Sequence, residues 1–361
     1  MTVSQMGQTC TTVSTICRMH VVPSLSNTLS PTSFPIDFDP QRDEFLMLPV
    51  TSDRIADAAF LDKRFGGDWA TATRLDWRDV PASSQTTGVA LLFHTAFCCS
   101  TLLARTLQSP LRVIALKEPQ VLSQIASAAL SQPRSRIEGP LRAALRLLAR
   151  PWTPDGRCLI KPTNQANNLL PDILRMTSGK AILLYSSLPE FVISCCKKLP
   201  EADQRVRWMA QHLLKDSHLQ SALQVPWNHH FNFIEACVLT WYAQIERYAD
   251  ALANDGDDRL RSLDMQAMLA DPSGLIAAAA GWLQLGIDGS ELRARVEIEF
   301  RRNAKHPDRA FDAVRRAQEK ELAMARYAEV LDNALAWAHE SVAPFARLPI
   351  DWKPLVSSRH G

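Results

Sequence analysis

Short, unbroken apolar runs alternate with segments of helical period through the middle of the chain. Residues 88–94 (Gly-Val-Ala-Leu-Leu-Phe-His) have no polar face, as expected of a central strand covered on both sides. A helix is predicted directly after it, over residues 100–107. Runs of the same kind at 112–117, 158–161 and 181–185 are each followed by a predicted helix, at 120–130, 166–176 and 189–198. This alternation predicts βαβ units and a parallel sheet. A further strand is expected at 259–263, and Asp271-Pro272 should open a helix whose Ala-rich body covers 275–285.

Additional helices interrupt this rhythm. Residues 137–150 place Leu141, Leu145 and Leu148 on one face and Arg142, Arg146 and Arg150, every four residues, on the other. Long helical stretches are predicted at 201–223 and 231–253, and a mostly helical wrap at 311–345. Before the first βα unit, residues 44–50 read as a strand, and Ser52 can cap a helix over 53–63. Residues 1–36 hold no acid and Arg18 as their one Lys or Arg, amid many Ser and Thr. Residues 1–43 are therefore expected to be a poorly ordered leader, and residues 44–361 one α/β domain with inserted helices after its second and fourth strands.

With 361 residues, 46% of them hydrophobic and 22% charged, the chain can bury a full core and falls outside the collagen-like and wholly disordered classes. Forty basic against 38 acidic residues leave a formal charge of +2, which argues against nucleic acid as the partner. No apolar run reaches the length of a membrane span. The eight cysteines show neither zinc-type Cys-x-x-Cys spacing nor a dense disulfide framework, so reduced thiols, a cytoplasmic location and no metal site are expected.

Residues 95–99 join a buried strand to a helix N-terminus, where free N–H groups and the helix dipole favour an anion. Ser100 and Thr101 supply first-turn hydroxyls. The phosphate-loop pattern G-x-x-x-x-G-K-[ST] is absent, since the loop holds neither Gly nor Lys. Instead, Ala96-Phe-Cys-Cys-Ser-Thr-Leu-Leu103 resembles the Pro-(Lys/Arg)-Ser-Gly-Thr-Thr-(Leu/Trp)-Leu loop of the sulfotransferase superfamily. Further segments keep the family's order: Lys117-Glu-Pro119; Tyr185-Ser-Ser-Leu-Pro189 with Ser194; Trp241 in its helix; and Leu263-Asp-Met-Gln-Ala-Met-Leu-Ala-Asp-Pro-Ser273 leading to Gly281-Trp-Leu-Gln-Leu285. Together they cover about residues 88–286.

The resemblance implies a three-layer, P-loop NTPase-like α/β fold. It also implies transfer of a sulfuryl group from 3′-phosphoadenosine 5′-phosphosulfate (PAPS) to a hydroxyl or amine. By position, Ser100 and Thr101 would hold the 5′-phosphosulfate and Ser194 the 3′-phosphate, with Cys99 beside them in the cofactor-binding loop. The family's loop cation is replaced here by Phe97, and the Arg of its Arg-Asp-Pro segment falls at Ser186 or Ser187. Replacement cations are sought in Lys117 and Lys161, at strand ends, and in the basic stretch 300–309, where Arg301 and Lys305 resemble the family's nucleotide-covering segment. Glu118 and His94 are the candidate bases for the acceptor. The acceptor itself is expected to be a small or carrier-bound molecule, acidic if the row Arg142, Arg146 and Arg150 faces it. Two other readings stand beside this one: a fold-retaining protein that binds a nucleotide or a partner without catalysis, and a cysteine phosphatase built on Cys99-x5-Arg105.

Overall fold

A computed structural model describes residues 30–82, 89–226, 228–301 and 313–356. Among the described residues, eight strands fall into two sheets. The larger contains β4 (Val89–His94), β5 (Val113–Lys117), β6 (Arg157–Lys161), β7 (Ala181–Tyr185) and β8 (Leu260–Asp264), all parallel, in the spatial order β5-β6-β4-β7-β8. Numbered from its own first strand, this sheet runs 2-3-1-4-5. The first strand is thus central, and its order reverses there, which in open α/β sheets is the place where ligands bind. Register fixes the site's floor: His94 pairs with Leu184, and Lys117 with Lys161.

The residues of β4 are all buried, as a run without a polar face requires. Leu91 and Phe93 face one side of the sheet, together with Leu116, Ile160 and Leu183. Packed there are α3 (Gln120–Ala128), α4 (Arg134–Leu148), α5 (Leu170–Met176) and the C-terminal half of α9 (Phe233–Ala253). Ala90 and Leu92 face the other side, covered by α2 (Ser100–Thr106), α11 (Pro272–Trp282) and α12 (Gly289–Phe300). These are the three layers expected. Gly179 lets the chain pass close under β4 on its way into β7, since a Cβ there would stand 1.6 Å from the Val89 carbonyl oxygen.

A separate helical core lies beyond the sheet. It joins α6 (Leu188–Cys196), α7 (Glu201–Leu214), α8 (His218–Ala222), the first half of α9, α13 (Ala313–Arg326) and α14 (Ala328–Trp337). The insertions after the second and fourth parallel strands are therefore present, as is the C-terminal wrap. Leu355 donates to the Ser262 carbonyl, which lays the chain's end along β8.

The expected boundary at residue 44 is corrected by β1 (Ser33–Asp39). It pairs antiparallel with β2 (Glu44–Pro49), which pairs with β3 (Thr73–Asp76). Phe34, Ile36 and Phe38 alternate into the core, so residues 33–43 belong to the body, and the earlier part of the supposed leader lies outside the described residues. Helix α1 (Ser52–Asp57) is shorter than expected because its C-terminal carbonyls turn to another partner, described below. The arginine row on α4 is also corrected. Arg142 pairs with Glu138, whereas Arg150 is buried and donates to the carbonyls of Leu147 and Ser33. Burial brings the Arg150 guanidinium down to about 10.

Candidate functional site

The loop after β4 begins inside the core. His94 Nδ1 lies 2.9 Å from the Thr95 carbonyl, and Cys98 Sγ donates to the same oxygen at 2.7 Å. Phe97 and Cys99 both take left-handed backbone angles, φ 61° and 59°. A non-glycine residue there costs on the order of 1–3 kcal/mol, and such outliers gather at functional sites. Successive turns of this kind aim backbone N–H groups into an anion-binding concavity. Cys99 is also the N-cap of α2 and offers no side-chain cap to it. The first turn of α2 thus has no side-chain cap from Cys99, although the Ser100 amide bonds the Cys98 sulfur, and Ser100 and Thr101 are 6% and 5% exposed.

Cys99 and, on α6, Ser194 both line a cavity of about 460 Å³. The two residues are far apart in sequence, and the structure brings them together. Phe97, Met265 and Leu269 line this cavity as well, and α13 contributes Lys320 and Met324. Its cations are already engaged: Lys320 Nζ lies 2.9 Å from Glu190 Oε1, and Lys197 Nζ 3.9 Å from Glu319 Oε2. Gln266 also donates to Glu190.

A second group stands at the carboxyl ends of β4, β5 and β6. Glu118 follows β5 with φ 57°, and its Oε1 receives Lys161 Nζ at 2.5 Å and approaches His94 Nε2 at 3.8 Å. Lys161 has no exposed side-chain surface, whereas Glu118 is 12% exposed. Burial works against the Glu118 carboxylate, but the Lys161 charge, His94 and the Lys161 hydrogen bond together outweigh it and hold the group down at about 2. Burial, then the Lys161 charge, push His94 down to about 3 despite the pull of Glu118. His94 is therefore neutral at pH 7, and its buried Nε2 has no hydrogen-bond partner. Glu118 lines a polar cavity of about 270 Å³, together with Gln120, Thr163, Gln165 and Arg205.

Several expected residues fall elsewhere. Lys117 stands beside Lys161 in register, but β5 is an edge strand. Its ammonium leaves over that edge to the carbonyls of Ile55 and Ala56 at the end of α1 and to Gln108 Oε1, at 2.9–3.3 Å. It is fully buried in a structural role and supplies no cation to the loop. Ser186 is likewise sealed in the core, where its carbonyl accepts Trp241 Nε1 at 2.8 Å. Arg301 is exposed at the end of α12, away from the cavity wall, and Lys305 lies outside the described residues. Arg105, required over the loop by the phosphatase reading, pairs instead with Glu299 at 2.9 Å. Gln165, in the 3-10 segment Asn164–Leu169, and Arg205, on α7, carry no sequence signal; each reaches the cavity through packing alone.

Among the described residues no group of His, Cys, Asp and Glu could hold a metal ion, and no helix is long and apolar enough to cross a membrane. The class that these features define is a three-layer α/β fold on a five-stranded parallel sheet of order 2-3-1-4-5, with a left-handed loop after its central strand. No protein-family profile matches the chain, and no curated protein matches it. Among solved structures, it is similar to a sulfotransferase from Alicyclobacillus acidocaldarius at 14% identity, over 72% of this chain and 98% of that one, with a TM-score of 0.34.

Proposed function

We propose that the protein transfers a sulfuryl group from PAPS to a hydroxyl of an acceptor. One observation carries the reading: Ser194, which the sequence resemblance assigns to the donor's 3′ end, shares one cavity at the carboxyl end of the central strand with Cys99, the neighbour of the Ser100 and Thr101 assigned to its 5′ end. The left-handed loop and the uncapped amides of α2 suit a phosphosulfate. Lys197 and Lys320 would serve the donor's charge by exchanging Glu319 and Glu190 for it, since charge-assisted bonds dominate phosphate recognition.

The donor, once bound, supplies an electrophilic sulfur. The acceptor oxygen forms a bond to it while the bond to the bridging oxygen breaks, leaving that electron pair on the departing phosphate. Glu118 reaches the polar cavity as a permanent carboxylate and is the group that accepts the acceptor's proton. So weak a base suffices because the hydroxyl becomes strongly acidic as its oxygen bonds to sulfur, so the proton moves late. Lys161 stays a positioning residue: it is out of solvent and holds Glu118 in place and ionised. His94, neutral and lining neither cavity itself, stands behind Glu118 and orients the start of the loop through Thr95.

Calorimetric titration with adenosine 3′,5′-bisphosphate, against ADP and ATP at matched salt, tests the reading. Selective binding of the bisphosphate is expected. Equal binding of all three, or none, overturns it.

A further inference from the structure

The cavity that holds Glu118 differs in kind from the one beside Cys99. Every side chain lining it is polar or charged, amides and hydroxyls included. At about 270 Å³ it is close to the lower end of the roughly 300–1,000 Å³ usual for small-molecule sites, too small and too polar for a flat polycyclic ligand. Its charges are unequally used. Arg64 bonds Asp62, and Lys161 bonds Glu118 from below. Arg205 and Lys63 make no ion pair among the described residues, and both are exposed at the mouth, while Glu118 and Thr163 lie deeper. Gln165 is oriented by its own donations to the Ser123 carbonyl and to Ser127 Oγ, which leave its amide oxygen as an acceptor.

We infer that this cavity is the acceptor site and that it takes a small, hydroxyl-rich anion of the sugar-acid type, its charged group on Arg205 and Lys63 and one hydroxyl on Glu118. The inference rests on the transfer reading for the word acceptor, but the binding claim stands separately. A carboxylate or phosphate at the mouth neutralises two cations that make no close ion pair, Arg205 acting on Glu118 and Lys63 on Asp37 only through longer-range charge. Ring hydroxyls find amide and hydroxyl groups at the depth where Glu118 presents its free oxygen, so the hydroxyl presented for transfer is the one farthest from the anionic group. An aromatic or steroid hydroxyl would leave those polar groups desolvated and unpaired, a heavy cost in a site of this composition.

The test is ligand-detected NMR with glucuronate, glucose 6-phosphate, glucose and phenol as probes, each with and without adenosine 3′,5′-bisphosphate. Both charged sugars should bind at least tenfold more tightly than glucose, and phenol least. In a doubly substituted Lys63→Gln, Arg205→Gln protein, whose surface positions leave the fold intact by thermal melting, that preference should fall to threefold or less while glucose is unchanged. Equal binding of charged and neutral sugars by the wild type, or preference for phenol, overturns the proposal. Normal bisphosphate binding with no sugar binding defeats it alone, leaving the donor reading. Sugar-acid binding that needs Arg205, with no bisphosphate binding, supports the site and defeats the transfer reading.

Discussion

Replacing Lys161 by Met removes the cation beneath Glu118 while keeping a chain of similar length. Two routes give the size of the effect. Removing one partner of a buried pair costs about 3–5 kcal/mol, and the 12% exposure of Glu118 puts this case at the lower end. Independently, a carboxyl drawn from 4.5 to about 2 represents roughly 3 kcal/mol of native-state stabilisation at about 1.4 kcal/mol per pH unit. Because its folded value is depressed, this stabilisation is complete above 4.5 and is lost as pH falls toward 2. In the Met variant the largest charge opposing burial is gone and His94 and Arg205 alone remain, so Glu118 titrates higher than in the wild type and its penalty vanishes once it is protonated. Urea unfolding at pH 7 should therefore show Lys161→Met about 3 kcal/mol less stable than wild type, and at pH 4 the gap should close by at least about 1 kcal/mol. A gap of the same size at both pH values would refute the reasoning, since it would mean that packing, not the ion pair, carries the loss.

Other outcomes follow from the same geometry. Ser100→Ala with Thr101→Ala should weaken bisphosphate binding about tenfold, measured by calorimetry, with little change in melting temperature; unchanged affinity would remove the loop from the donor site. Lys117, brought down to about 7 by burial and the nearby Arg105, resists protonation only when folded. Wild-type stability should therefore rise from pH 7.5 to 9.5, on the order of 2 kcal/mol by urea unfolding, and Lys117→Met should lack that rise. Arg150→Ala strips the Ser33 carbonyl of its buried donor and should cost about 2 kcal/mol, with amide exchange accelerating first in β1.

The parallel strands were legible because each is buried on both faces and so reads as an apolar run, and the helices between them follow at once. β1 was hidden by composition. Its alternation of Phe34, Ile36 and Phe38 with Pro35 and Asp37 is a strand signature, but it follows a long Ser- and Thr-rich stretch that reads as disordered. β3 is too short to show a period, and α12 announces itself only through Asp288, whose carboxylate caps Ser290 and Glu291. At the site, Lys117 and Lys161 look alike in sequence, each closing an apolar run. Which one meets Glu118 depends on which strand lies at the sheet's edge, and an edge is a property of strand order. The arginine row on α4 misled for a related reason: its periodicity is real, but Arg150 follows the last turn, where the chain bends toward β1.

The strand order also bears on how the chain is made. β1 to β3 join neighbours close in sequence and can pair soon after they leave the ribosome. β4 cannot. Its partners β6 and β7 begin at Arg157 and Ala181, so during synthesis the fully buried central strand waits for its two flanks while a helical insertion is still being produced. Through that interval its sticky edges are bare, and the strained turn after it has no walls to lean on. Conditions that slow translation between β4 and β7, or deplete chaperones, should therefore show up as aggregation of the nascent chain rather than as a weaker finished protein.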